Sequence, residues 1–160
     1  MGEPPIDCDV LIVGLGPVGA MLALLLAQSG VSTIAVDKDT AVYPLPRAAH
    51  FDHEIMRLLQ QVGVADMVSR HARQAPAYEF RAADGQVLLR MDLPPLAPSG
   101  WASGYMFHQP AVENALRAKL KENPLAQVRL AQRFERLEQD ADGVTALLQG
   151  PNNSSSVRAR

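Results

Sequence analysis

The segment Gly14-Leu15-Gly16-Pro17-Val18-Gly19 constrains this chain more than any other. Its three glycines follow the branched apolar run Cys8-Asp-Val-Leu-Ile-Val13 and precede Ala20–Gln28, a stretch rich in alanine and leucine. A short, nearly continuous branched run predicts a central parallel strand covered on both faces. Alanine and leucine are strong helix formers, and Gly30 stands where a helix C-terminal glycine belongs. Ser32–Val36 is a second β-rich run, closed by Asp37. The reading is a complete βαβ unit with short connections, the opening of a Rossmann-like α/β sheet. In such a unit each glycine has its own task. Gly14 permits the tight turn out of the strand, Gly16 lets a pyrophosphate approach the backbone, and Gly19 lets the helix pack closely on the sheet. The helix N-terminus adds unpaired N–H groups and the positive end of its dipole. Asp37 follows Gly19 by 18 residues, near the spacing of about 20 expected for a carboxylate on a ribose hydroxyl pair. A carboxylate there favours an unphosphorylated adenosine ribose, hence FAD or NAD over NADP.

Downstream, Tyr43-Pro-Leu-Pro-Arg47 is a proline-stiffened loop. Asp52 is placed to cap a helix running to about Gln61 and ended by Gly63. A short helix is expected over Ala65–Arg73. Residues 77–82 and 86–91 read as two strands joined at Asp84-Gly85, a hairpin signal. Leu93–Gly104, with its prolines and glycines, is a loop, and Tyr105–His108 a short strand. Pro110 suits the first turn of a helix that continues through Ala111–Lys121. Val128–Leu130 is a further short strand. Phe134–Glu138 and Val144–Leu148 form a second hairpin around Asp140–Gly143, and Gly150–Ser156 reads as a polar loop.

Composition narrows the function classes. Lys plus Arg is 15 and Asp plus Glu is 17, a formal net charge of −2, so no basic excess argues for nucleic acid or an anionic membrane surface. One cysteine, Cys8, makes no internal disulfide and no cysteine-rich zinc pattern, and reads as a small semi-buried hydrophobe. A reducing, cytoplasmic setting is the default. Val10–Ala27 carries no charge. Gly14, Gly16, Pro17 and Gly19 interrupt it, and the acidic Glu3, Asp7 and Asp9 precede it, which argues against a membrane span or a signal peptide. Gly2 lacks the Ser or Thr at position 6 that myristoylation requires. The four histidines show no metal-ligand spacing; His50 and His53 beside Glu54 read as a surface or site-lining pair. Trp101 reads as an aromatic buried under its loop. Arg117, Lys119, Lys121 and Glu122 read as one solvated helix face.

The opening Asp9-Val-Leu-Ile-Val-Gly-Leu-Gly-Pro-Val-Gly19 resembles the FAD-binding start of the single-component flavoprotein aromatic hydroxylases, the p-hydroxybenzoate hydroxylase-like monooxygenases. Pro46-Arg47-Ala48 resembles that family's proline-arginine-alanine loop, and Phe107-His-Gln109-Pro110 the segment that precedes a helix. Gln132-Arg133-Phe134-Glu135 and the hairpin through Asp142-Gly143-Val144 are similar to its adenine-side strand and β-meander. Within the family, Arg47–Glu54 and the Gly63 helix end look most like the 3-(3-hydroxyphenyl)propionate hydroxylase branch.

The resemblance implies a division of labour. Gly14, Gly16, Pro17, Val18 and Gly19 cradle the FAD pyrophosphate; Asp37, with Lys38 beside it, holds the ribose. Arg47, next to Ala48, neutralises phosphate, Gln109 contacts the ribityl chain, and the backbone at Phe134, next to Arg133, faces adenine. It implies an enzyme in which NADH or NADPH reduces the flavin and dioxygen hydroxylates a phenolic substrate through a flavin C4a-hydroperoxide. No residue here is assigned as catalytic acid, base or nucleophile. Expected domains are 1–75 for the first part of the FAD-binding domain, 76–108 for the start of an inserted antiparallel substrate sheet, and 109–160 for the FAD-binding domain continued. Two departures stand out: Asp37 occupies a position where Glu is usual, and family members run to more than twice this length, with a second FAD fingerprint expected just past Arg160. The expectation is therefore an N-terminal portion whose partner is the remaining C-terminal part of the same enzyme. A homo-oligomer is compatible with it, and no nucleic acid or membrane partner is expected. Two other readings stand beside this one: an NAD-dependent Rossmann dehydrogenase and a non-catalytic nucleotide-binding fragment.

Overall fold

The computed structural model describes residues 5–160; Gly2 and Glu3, weighed above, lie outside them. In chain order the elements are β1 (Val10–Val13), α1 (Pro17–Gln28), β2 (Thr33–Val36), β3 (His50–Asp52), α2 (His53–Gln61), α3 (Ala65–Ser69), β4 (Arg73–Gln74) and β5 (Ala77–Arg81). There follow β6 (Val87–Asp92), β7 (Gly104–Met106), α4 (Gln109–Leu120), β8 (Ala126–Arg129), β9 (Arg133–Gln139), β10 (Val144–Gln149) and β11 (Ser154–Ala159). The chain divides into two compact units, Met1–Pro44 with Glu113–Arg160, and Leu45–Val112.

The first unit is built on the expected βαβ. β1 and β2 pair in parallel from Val10 with Thr33 to Val13 with Val36, and β8 adds to the other edge of β2. The sheet order β1-β2-β8 puts β2 in the centre. All four β2 residues are buried, whereas only Ile12 is buried in β1. The fully covered central strand is thus β2, not β1 as its apolar run had indicated; the β1 run is equally apolar, but among the described residues β1 has a neighbour on one edge only. Asp9 ties the start of β1 to β2, its carboxylate accepting from the Ser32 N–H at 2.9 Å and hydroxyl at 2.6 Å. α1 begins three residues before the Ala/Leu-rich stretch, at Pro17. Proline lacks only an N–H that the first turn leaves unpaired anyway, and its φ is already helical.

β9, β10 and β11 form an antiparallel meander of order β11-β10-β9. The residues read as a polar loop, Gly150–Ser156, run into β11, which pairs with β10 from Ser154 opposite Gln149 to Ala159 opposite Val144. Three exposed or half-exposed serines carry no alternating signal, and only the end of the strand, Val157–Ala159, is buried. That end joins the meander to the parallel sheet. Cys8 bridges to Ala159, and the Asp7 N–H donates to the Arg158 carbonyl at 2.9 Å. Cys8, Ile34, Val36, Leu148, Val157 and Ala159 form one apolar cluster, with Leu11 and Phe134 packed against it. Burial pushes the Cys8 thiol pKa up, so it is an inert core residue.

In the second unit, β3 and β4 pair antiparallel with β7. The Asp52 carboxylate caps α2, accepting from the N–H groups of Glu54 at 3.0 Å and Ile55 at 3.1 Å. α2 ends before Gly63, whose φ of +80° suits a residue without a side chain. The helix expected over Ala65–Arg73 stops at Ser69, because Arg73 is drawn into β4 opposite Met106. β5 and β6 pair as the expected hairpin, with Asp84 accepting from the Gln86 N–H in the turn. Phe51 packs on Tyr105 and Phe107, and the Trp101 indole N–H donates to Gln60 at 2.9 Å. No helix among the described residues is long and apolar enough to cross a membrane.

Two outcomes follow from this packing. Leu148 is fully buried at the centre of the cluster, so Leu148→Ala lowers unfolding free energy by about 3 kcal/mol in urea titration. His50 meets Tyr78 edge-on at 4.6 Å between ring centroids. Burial holds its pKa below the usual histidine value, outweighing the nearby Asp52 carboxylate that raises it. A depressed histidine stabilises the fold fully above its unfolded value of about 6.5 and progressively less as pH falls through its folded pKa. Stability measured from pH 7 to pH 5 therefore falls, and His50→Gln flattens that part of the curve.

Candidate dinucleotide-binding site

Three glycines set the turn between β1 and α1, each differently. Gly14 has φ +100°, a conformation that side chains rarely adopt. At Gly19 a Cβ would stand 2.0 Å from the Gly14 carbonyl oxygen. That contact is impossible, so the helix rests directly on the turn. At Gly16 the backbone is ordinary and a Cβ would meet nothing within 4 Å. Space is therefore open where α1 begins. No side chain caps α1 at Gly16, and Pro17 brings no N–H. The Val18 and Gly19 N–H groups belong to the first turn, which has no intrahelical acceptors, and Val18 itself is 80% exposed. An open, uncapped helix N-terminus with positive partial charge is suited to phosphate oxygens.

Asp37 ends β2 beside this turn. Its Oδ2 accepts from the Leu15 N–H at 2.8 Å and its Oδ1 from the Asp39 N–H at 3.0 Å. Each carboxylate oxygen has two lone-pair sites, so acceptor capacity remains for a ribose hydroxyl on Oδ1. The Asp37 backbone pairs with Arg129 and Gln132. That brings the start of β9, with Arg133 and Phe134, alongside the end of β2. Arg133 is exposed there and Phe134 half-buried; Lys38 is exposed next to Asp37.

Arg117 departs from its expected place on a solvated face. Its side chain is 12% exposed, its Nε and Nη2 donate to the Leu15 carbonyl at 3.1 and 2.7 Å, and Nη2 lies 3.5 Å from Asp37 Oδ2. The signal was in the helical period. Glu113, Arg117 and Leu120 share one face of α4, and Glu113 and Leu120 are both buried. Charge pattern alone grouped Arg117 with Lys119 and Glu122, which do pair with each other at the surface.

In the second unit, Gln109 is 5% exposed at the first turn of α4. Its Oε1 accepts from the N–H groups of Arg47 at 2.9 Å and Ala48 at 2.8 Å. The two segments singled out in sequence thus meet directly, and Gln109 fixes the backbone of the Arg47–Ala48 turn. The residues of the first unit fit a dinucleotide: an open glycine approach at Gly16, an uncapped helix end and a carboxylate with a remaining acceptor site.

The family described as FAD binding domain matches residues 7–160. A 3-(3-hydroxy-phenyl)propionate/3-hydroxycinnamic acid hydroxylase of Mycobacterium sp. (strain JLS) is 39% identical over 155 residues, 96% of this chain and 27% of the relative. A probable NADH-specific resorcinol 4-hydroxylase of Rhodococcus jostii (strain RHA1) is 36% identical over 155 residues, 95% of this chain and 29% of the relative. Among solved structures, p-nitrophenol 4-monooxygenase from Pseudomonas putida DLL-E4 superposes with a TM-score of 0.86 at 29% identity, covering 96% of this chain and 39% of that one. The chain thus spans little more than a quarter of the length of the curated relatives it matches. Because the match spans residues 7–160, this chain belongs to the FAD-binding domain family.

Proposed function

We propose that this chain is the FAD-binding part of a flavoprotein aromatic hydroxylase, and that the turn at Gly14–Gly19 receives the FAD pyrophosphate. The open space at Gly16, at an uncapped helix N-terminus beside Asp37, carries the reading. FAD, when bound and reduced by NADH or NADPH, supplies the activation of dioxygen that an aromatic hydroxylation needs. The protein's own part is to bind, orient and exclude water. The Val18 and Gly19 N–H groups donate to phosphate oxygens, and Gly16 keeps the approach clear. Asp37 accepts from the adenosine ribose, with Lys38 at its side, and the backbone at Phe134, after Arg133, borders the adenine. In the second unit, Arg47 offers a cation to phosphate, while Gln109 holds the Arg47–Ala48 turn and addresses the ribityl chain.

The relatives' names support a phenolic aromatic compound as substrate class, and the resorcinol hydroxylase supports NADH as reductant. Residues 76–108, with the hairpin β5–β6, begin the substrate sheet in this reading, between FAD-binding segments 1–75 and 109–160. The partners are dioxygen, the phenolic substrate and the C-terminal remainder of the enzyme, and the setting is the cytoplasm. A pyridine-nucleotide dehydrogenase finds no support, since the matched family binds FAD and the relatives are hydroxylases.

Two glycine variants test the site. Gly16→Val places a side chain in open space, so the protein folds with near-wild-type stability but loses FAD in equilibrium dialysis. Gly19→Ala drives a Cβ into the Gly14 carbonyl and lowers the unfolding free energy by about 3 kcal/mol through overpacking, read as a lower melting temperature. Full FAD retention by folded Gly16→Val would contradict the assignment.

A further inference from the structure

The Leu15 backbone is held on both sides. Its N–H is taken by Asp37 Oδ2 at 2.8 Å, and its carbonyl accepts two hydrogen bonds from Arg117 at 3.1 and 2.7 Å. One residue earlier, the Gly14 N–H donates to the Val36 carbonyl at 2.8 Å. The Leu15 side chain is fully buried. A planar trans peptide points its C=O and N–H in opposite directions. Fixing the Leu15 carbonyl toward Arg117 therefore fixes the Gly16 N–H away from it. A Cβ built on Gly16 would meet nothing within 4 Å.

Glycine-flanked peptides rotate at little steric cost. Without Arg117 the Leu15–Gly16 peptide has no acceptor-side restraint in this set of contacts. Arg117 is well suited to impose one. Its guanidinium is planar, carries a permanent charge and presents several donors in a rigid fork. Here Nε and Nη2 converge on one carbonyl oxygen, and Nη2 also lies within 3.5 Å of the Asp37 carboxylate. The cation thereby bridges the carbonyl of the glycine turn and the acid at the end of β2, which are 22 residues apart in sequence.

We propose that Arg117 is a positioning residue for the dinucleotide: it locks the Leu15–Gly16 peptide so that the Gly16 N–H is aimed at the pyrophosphate, and holds Asp37 for the ribose. It touches no ligand itself. It removes the ordering that the turn would otherwise undergo on binding, which is how preorganisation raises affinity. This inference rests on the FAD reading of the turn.

The test compares wild type, Arg117→Met and Arg117→Lys, purified in full, stripped of flavin and titrated with FAD. Affinity is followed by flavin fluorescence, and amide hydrogen exchange is mapped on the same flavin-free samples. Arg117→Met weakens FAD binding about 10- to 100-fold, the scale of losing hydrogen bonds to a charged group. Its exchange rises over residues 14–16 while the core strands β2 and β10 keep their protection. Arg117→Lys, which keeps the charge but not the fork, falls between the two and serves alone where Arg117→Met does not fold. An affinity within threefold of wild type in the methionine variant, or in the lysine variant standing alone, overturns the proposal. So does exchange that rises equally throughout the unit, which marks a general structural role. Wild type that takes up no FAD overturns the parent reading instead, and is told apart because it fails before any variant is compared.

Discussion

Helix α1 lies directly on the end of β1, and it does so because Gly19 has no side chain: a Cβ there would sit 2.0 Å from the Gly14 carbonyl. The other features of the site depend on that contact. It brings the first turn of the helix to the C-terminal end of β1, beside the end of β2. The Leu15 N–H then reaches Asp37, which sets the β2 carboxylate beside the start of the helix. Such openings at the carboxyl ends of parallel strands are where α/β sheets bind ligands.

The site combines rigid and open elements. Gly14 N–H, Leu15 N–H and Leu15 carbonyl are all engaged by protein partners, whereas the space at Gly16 and the α1 terminus is left clear. Asp37 serves both purposes, since its Oδ2 organises the turn while its Oδ1, bonded to the Asp39 N–H, still leaves acceptor capacity. Asp37 sits close enough to the turn to bond its backbone. In the second unit Gln109 plays the corresponding structural part for the Arg47–Ala48 turn.

Much of this was legible in the sequence because it is local. The β1–α1–β2 unit, the Asp52 cap and the β5–β6 hairpin each rest on signals within a few residues. What escaped the reading is set by partners distant in sequence. β3 and β4 are only three and two residues long, and each exists through pairing with β7. β11 begins as serines with no alternation and is a strand because β10 supplies its hydrogen bonds. β1 and β2 look alike in composition, and only the pairing of β8 with β2 decides which is central. Arg117 had the composition of a solvated face, and its contacts to Leu15 and Asp37 span 102 and 80 residues.

The measurement that bears most directly on the account is the visible absorption spectrum of the purified protein before and after incubation with excess FAD and gel filtration. The account predicts flavin bands that stay with the protein at about one FAD per chain and disappear when it is denatured. A protein that remains colourless after incubation, with its fold intact by circular dichroism, would contradict it.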